Sequence, residues 1–424
     1  MNVRQDWEFR GILHQFTDES IFEQLNAGSV TLYAGFDPTA KSLHLGNLLQ
    51  LTNMRRLQMA GNRPIALAGG GTGLIGDPSH KATERQLLSA DALEENVAGI
   101  RAQLEKFLDF SPSAGSAQAV LLNNADWLTT ISLTDFLRDT GKHFTVNQMI
   151  AKDSVKSRLD RPDVGISFTE FSYMLLQAYD FLHLYQTHGC TLQLGGSDQW
   201  GNITMGAELV RKVAGGSAFG LTSPLLVKSD GTKFGKSESG AMYLDPSMTS
   251  PFAMHQFLLN TEDAMVVSLL KSFTFLSHDE IRELELATAE RAHERAAQRT
   301  LANEVVAFVH SPQAAQAAEQ AGKALFSEAI RELDEATLVQ VMADAPSSTL
   351  SRESVSGGVA LLDLLVECEL AASRGEARRF IDQGGVYVNN VKAAREMVDG
   401  SDLLHDRYIV LRRGRRQTHL VVLS

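Results

Sequence analysis

The stretch from Val30 to Gly71 constrains this chain more than any other part of it. Val30 to Phe36 is a short apolar run rich in strand-forming residues, closed by the turn Asp37-Pro38-Thr39. An apolar-periodic segment follows from about Leu43 to Met59 and stops at Gly61-Asn62, the pattern of a helix with a glycine terminator. Pro64 to Ala68 is a second apolar run, leading into Gly69-Gly70-Gly71. Parallel strands need a crossover rather than a hairpin, and a helix of this length supplies one. Strand, helix and strand in that order commit this part of the chain to an α/β fold around a parallel sheet.

The same logic extends the sheet. Ala119–Leu122 and Thr191–Leu194 are apolar runs followed by helical patterns. A Rossmann-like parallel-sheet domain is therefore expected over residues 1–220. Residues 221–247 are turn-rich, and 248–325 are helical, rich in Ala, Glu, Leu and Arg, with Pro251 and Pro312 near their edges. A linker is expected over 326–355, where Pro346 and several serines fall. Residues 356–424 follow the order helix, helix, short strands (Val386–Val388, Tyr408–Leu411, Leu420–Leu423), a small α+β domain. The 424 residues suit two or three domains at about 100–200 residues each.

Composition removes several alternatives. At 44% hydrophobic and 21% charged, the chain is neither disordered nor low in complexity. Met1 to Glu8 hold no apolar core for a signal peptide, and no apolar run approaches the roughly 18 residues of a membrane span. Cys190 and Cys368 cannot build a disulfide framework or a four-thiolate zinc site, so a cytoplasmic protein with no zinc and no membrane attachment is expected. A net charge of −12 argues against coating nucleic acid by bulk attraction. The charge is uneven, however: Arg412, Arg413, Arg415 and Arg416 crowd the C-terminus, so any nucleic acid must be met on patches.

Gly71-Thr72-Gly73-Leu74-Ile75-Gly76 matches a dinucleotide fingerprint, but Asp77-Pro78 follows at once. A carboxylate and a proline stand where a helix N-terminus should face pyrophosphate, so NAD binding is not expected. His44-Leu45-Gly46-Asn47 opens the helix after the first strand. His44 and Asn47 are spaced i,i+3, near amides and a dipole that favour phosphate, and Gly46 lets a flat ring approach. Lys233-Phe234-Gly235-Lys236-Ser237 adds two lysines in a glycine-containing loop, suited to a pyrophosphate whose charge grows in the transition state.

These two motifs, in this order, resemble the signatures of the class I aminoacyl-tRNA synthetases. The likeness is closest to the tyrosine-specific bacterial members. It rests on Tyr33 to Thr39, Gly73 to Pro78, Gly165 to Tyr173, Leu176 to Asp180 and Gly195 to Asn202, and it covers essentially the whole chain. It implies a ligase that activates L-tyrosine with Mg-ATP, magnesium riding on the ATP, and then charges tRNA(Tyr), working as a homodimer without an organic cofactor.

Residue by residue, the resemblance implies that Tyr33 and Asp180 recognise a phenol hydroxyl. Asp77, Tyr173 and Gln177 would clamp an ammonium group, with Gln199 beside the amino acid. Tyr173, Gln177 and Asp180 fall at i, i+4 and i+7, one face of one helix and too polar a stripe for core. Gly35, Asp37, Gly46, Gly196, Asp198 and Lys236 match ATP contacts. Thr39, His44, Asn47, Lys81, Arg85, Lys233, Lys236 and Ser237 match the groups that handle the phosphates during activation. Two departures stand out: Asn47 replaces a histidine of the signature, keeping an N–H donor, and Ala34 stands where relatives often carry cysteine.

The tail, from Ser373 to Arg379 and from Gly384 to Asn389, resembles an S4-type RNA-binding module. Arg374 and Arg378, spaced i,i+4, would meet phosphate, with Arg415 and Arg416 extending the contact. The rivals are a tryptophan-specific synthetase and an RNA-binding or splicing factor on an inactive synthetase fold. Tyr33 with Asp180 disfavours the first; the intact His44, Asp198, Lys233 and Lys236 disfavour the second.

Overall fold

The structure is a computed structural model that describes residues 2–77, 89–152, 155–156, 159, 165–227, 234–237, 240–325, 327–343, 345–352, 355, 357–393, 396–414 and 417–424. The chain forms two compact units. One holds Met1–Thr249 and Thr261–Leu301, the other Ser250–Asn260 and Ala302–Ser424. The helical stretch 248–325 is thus divided between them.

The first unit is built on six strands: β1 (Gln15–Phe16), β2 (Thr31–Phe36), β3 (Arg63–Ala68), β4 (Val120–Asn123), β5 (Cys190–Gly196) and β6 (Phe219–Ser223). Their order is β1-β6-β5-β2-β3-β4. All neighbours are parallel except β1, which runs antiparallel along β6. From β2 the chain winds outward through β3 to β4, then returns to β5 on the other side of β2. The direction of winding therefore reverses between β2 and β5, and open parallel sheets form their ligand crevice beyond the carboxyl ends of such strands.

Leu32, Ile65 and Leu67 are buried in the sheet, and the helix Leu45–Met59 covers it with Leu48, Leu51 and Met54. A second crossover helix, Phe168–His188, starts at Ser167, whose side chain caps Glu170, and stops at Gly189. It packs on the helix Trp200–Ala214, where a Cβ at Gly206 would come within 2.9 Å of the Phe181 ring, so glycine sets that spacing. The Gly71–Gly76 run forms a single 3₁₀ turn, Thr72–Leu74, and the next described helix starts only at Ala90. A pyrophosphate-binding helix therefore does not open on those glycines. Arg10 and Arg56 both donate to the carbonyls of Lys271 and Thr274, neutralising the C-terminal end of the helix Asp263–Phe273. Burial lowers the Arg56 guanidinium to about 9.

After β6 comes a short pair, β7 (Lys236–Ser237) and β8 (Gly240–Ala241). The second unit contains β9 (Ser347–Leu350), β10 (Val359–Ala360), β11 (Val386–Val388), β12 (Val391–Lys392), β13 (Met397–Val398), β14 (Tyr408–Arg413) and β15 (Gln417–Leu423). Five of them form a sheet in the order β12-β11-β14-β15-β9. The helices Leu361–Glu367 and Arg374–Asp382 contribute Leu361, Leu364, Leu365 and Ala377 to a core with Val386, Ile409, Leu411 and Val421. Residues 326–355, expected to be a linker, contain the helix Glu335–Val341 and β9, which pairs parallel with β15. Leu338 is fully buried in a cluster with Leu404, Tyr408, Val410 and Leu420, so this stretch shares a core with the C-terminal sheet. Cys190 and Cys368 are both buried and free. No described helix is long and apolar enough to cross a membrane.

Candidate active site

A cavity of about 440 Å³ opens at the carboxyl ends of β2, β3 and β5. It is lined by Tyr33, Gly35, Asp37, Thr39, His44, Gly46, Asn47, Asp77, Tyr173, Gln177, Asp180, Gly196, Asp198 and Gln199. Residues nearly 170 positions apart in sequence thus share one crevice. Lys81, Arg85, Lys233, Arg415 and Arg416 lie outside the described residues; the backbone of Lys236 and Ser237 forms β7.

The inner end is acidic and nearly dry. Asp180 is buried and accepts hydrogen bonds from Asn124 Nδ2 at 2.9 Å and from the Trp127 indole at 2.7 Å. Burial pushes its carboxyl up to about 7, and the Asp37 charge adds to the rise, while the two donors pull it down. The Tyr33 hydroxyl, on β2, is buried and has no hydrogen-bond partner among the described residues. Burial and the nearby Asp180 charge raise this phenol well above its usual range. An orphaned donor beside a carboxyl with spare acceptor capacity is costly unless a third polar group arrives.

Above this pair runs a polar chain. The Tyr173 hydroxyl donates to Asp37 Oδ2 at 2.9 Å, and Thr72 donates to the other carboxylate oxygen at 2.8 Å. Burial and the charges of Asp37 and Asp77 raise the Tyr173 phenol well above its usual range, so it stays a donor. Gln199 donates to Asp77 at 2.8 Å, Gln177 donates to Gln199 at 3.3 Å, and Asn202 donates to Gln177 at 2.9 Å. Four aspartates, Asp37, Asp77, Asp180 and Asp198, line one crevice and favour a cation.

The outer end is different. His44 caps the helix Leu45–Met59: its Nδ1 accepts from Gly46 N–H at 3.0 Å, and its own N–H donates to Asn47 Oδ1 at 3.0 Å. This commits the neutral ring to carry its proton on Nε2, and it leaves the Asn47 NH₂ to donate. A Cβ at Gly46 would lie 2.8 Å from the His44 ring, whereas one at Gly35 would meet nothing within 4 Å. Thr39 is exposed at the rim, its N–H on the Asp37 carbonyl. Leu45 N–H bonds Met242 O at 2.9 Å, and Met242 N–H bonds Gly235 O at 2.9 Å. The backbone of the second lysine motif is thereby tied to the start of the histidine motif.

The residues foreseen as RNA contacts fare unevenly. Arg378 is exposed, but Arg374 is engaged in a forked ion pair with Asp363. Arg412 and Arg413, neighbours of Arg415 and Arg416 that were not assigned to RNA, are occupied within the fold: Arg412 is buried over the Tyr387 ring, and Arg413 donates to Leu370 O at 2.6 Å. Asn124, Trp127 and Asn202 were not foreseen. Asn124 directly follows β4, and that position at a strand's carboxyl end was the available signal.

The chain belongs to the class I tRNA synthetases of the tryptophan and tyrosine group, whose family model, "tRNA synthetases class I (W and Y)", matches residues 25–327. A second model, "Tyrosine--tRNA ligase SYY-like C-terminal domain", matches residues 337–421. Within the group the chain falls among the tyrosine–tRNA ligases. It is 52% identical to that of Roseiflexus castenholzii over 424 residues, covering 99% of each chain, and 48% identical to that of Porphyromonas gingivalis over 432, covering all of both. A solved structure of a C-terminally truncated mitochondrial tyrosyl-tRNA synthetase from Aspergillus nidulans superposes with a TM-score of 0.67 at 31% identity, covering 76% of this chain and 93% of that one.

Proposed function

We propose that this chain is a tyrosine–tRNA ligase that works through the residues of this cavity. It joins the carboxylate of L-tyrosine to the α-phosphate of Mg-ATP, releases pyrophosphate, and passes the tyrosyl group to the 3′-terminal adenosine of tRNA(Tyr). The observation that carries the reading is the buried, unpartnered Tyr33 hydroxyl beside Asp180. A substrate phenol accepts from the Tyr33 hydroxyl and donates to Asp180, while phenylalanine leaves the Tyr33 donor unpaired and the spare acceptor capacity of Asp180 unused.

The tyrosine ammonium then lies against Asp77, Tyr173 and Gln177, and its carboxylate points towards Gln199 and Asp198. Gly35 and Gly46 leave room for the flat adenosine, and Gly196 for its ribose. The carboxylate oxygen attacks the α-phosphorus as the bond to the β-phosphate bridge breaks. His44 Nε2–H and the Asn47 NH₂ donate to phosphate oxygens, joined by Thr39, Lys81, Arg85, Lys233, Lys236 and Ser237. No covalent enzyme intermediate is needed; orientation and charge stabilisation do the catalysis.

The chain acts as a homodimer in the cytoplasm. Leu133, Leu137, Val146, Ile150, Leu159 and Phe168 are exposed within one stretch of sequence, with Phe168 at 78%, and such side chains need a covering surface. Sedimentation at micromolar concentration should give twice the chain mass. The exposed Arg378 supports tRNA contact by the second unit. ATP–pyrophosphate exchange, run without tRNA, tests the activation step on which the reading rests: tyrosine alone should support it. Exchange with tryptophan instead, or none in folded protein, sinks it.

A further inference from the structure

Behind Asp180 stands a flat ring that the reaction does not use. His183 lies on the same helix as Asp180, one turn on, and its imidazole stacks on the Trp127 indole with ring centroids 4.3 Å apart and planes 19° apart. That indole is one of the two donors that hold the Asp180 carboxylate. Tyr179 lies nearby, its ring centroid 6.4 Å from that of His183 and tilted by 34°, and Tyr179 in turn meets Phe136 edge-on at 5.9 Å. No hydrogen bond reaches the His183 ring nitrogens among the described residues, so what the side chain offers its surroundings is its face. Burial, with His188 adding to the effect, lowers its basicity and keeps the ring neutral near pH 7.

We propose that His183 is a positioning residue for tyrosine selection: by stacking on Trp127 it fixes the plane of the indole and so aims the indole N–H at Asp180. Trp127 sits on the four-residue helix Ala125–Leu128, which is too short to hold a large side chain by its own backbone. Its orientation must come from what packs on it, and the stacked imidazole is the flat surface available. Only the phenol end of the cavity depends on this contact. The contact of a remote ring is thus transmitted to one substrate and not to the other. The inference rests on Asp180 being the phenol-binding carboxyl.

ATP–pyrophosphate exchange on the full chain tests it, with His183→Ala, His183→Phe and Asp180→Asn measured side by side. His183→Ala should raise the tyrosine KM by about two- to tenfold, the size of one lost stacked aromatic pair, with the ATP KM unchanged. His183→Phe keeps a flat ring without nitrogen atoms and should restore the wild-type tyrosine KM. An unchanged tyrosine KM in His183→Ala, or an equal rise for tyrosine and ATP, overturns the proposal. So does a His183→Phe protein that remains folded, by its melting curve, but is no better than alanine. If Asp180→Asn leaves tyrosine use intact, the pocket assignment itself has failed, and that result is distinct from a failure of His183 alone.

Discussion

The two units each bury a cluster of polar side chains, and the clusters are finished to different degrees. In the second unit, Asn389 is fully buried: its Oδ1 accepts from Val410 N–H at 2.9 Å and its Nδ2 donates to Asp402 O at 2.5 Å. Asn389 and Asn390 also form the two-residue turn between β11 and β12, with φ of 48° and 62°, the left-handed pair that such a hairpin demands. In the first unit, the Tyr33 hydroxyl has no partner among the described residues, and Asp180 keeps acceptor capacity beyond its two donors. The Asn389 amide, satisfied at both ends, holds its hairpin in one arrangement, although the neighbouring Asn390 Oδ1 is buried without a partner among the described residues. An unsaturated cluster facing a cavity is held by its surroundings and completed by a ligand.

If that contrast is right, substitutions in the first cluster should damage chemistry, and those in the second should damage stability. The largest effect belongs to His44→Ala, which removes the donor proposed for the transition-state phosphate. The kcat for ATP–pyrophosphate exchange should fall roughly 10²–10³-fold, with the melting temperature lowered only by the few degrees that a lost helix cap costs, about 0.5–2 kcal/mol. Asp180→Asn should raise the tyrosine KM about tenfold or more and leave the ATP KM alone. Asn389→Ala should cost the second unit about 2–3 kcal/mol, read by amide hydrogen exchange across β11 and β14, with no change in the tyrosine reaction. Loss of activity in that variant would break the comparison.

The smallest effect is a pair of opposite pH slopes. The Asp180 carboxyl is raised to about 7 in the folded chain, so its contribution to stability is present at acid pH and is lost as pH rises through 7. His419, on β15 and paired with Ser348 on β9, is lowered by burial, with the Glu369 charge opposing the shift. Its contribution is therefore present above about 6.5 and lost as pH falls. Unliganded protein compared with Asp180→Asn should show the first slope in the first unit. Comparison with His419→Gln should show the second in β9 and β15. Slopes of the same sign would undo the contrast.

The sheet around β2 and β3 was legible because a strand, a helix and a strand with short connections leave little topological choice. The side chains of the cavity were legible where residue types share a helix face, as Tyr173, Gln177 and Asp180 do, or follow a strand, as Asp37 does. Asn124 and Trp127 were not, because their meaning lies in a contact with Asp180 more than 50 residues away. Short antiparallel β1 carries too few residues for a period. β9 was lost inside a stretch of serine and proline, because strand identity at a sheet edge comes from the neighbour it pairs with rather than from its own side chains.

That edge strand has a consequence for inheritance. Because Ser348 to Leu350 pair with Val421 to Leu423, the tail module begins before the residue at which its helices begin. A lineage that exchanged this tail at position 356 would hand over four strands of a five-stranded sheet and leave the last one behind, exposing β15 along its length. The unit that can be transplanted, duplicated or lost cleanly carries Ser347 with it and also the helix Glu335–Val341, whose Leu338 packs against Tyr408, Val410 and Leu420.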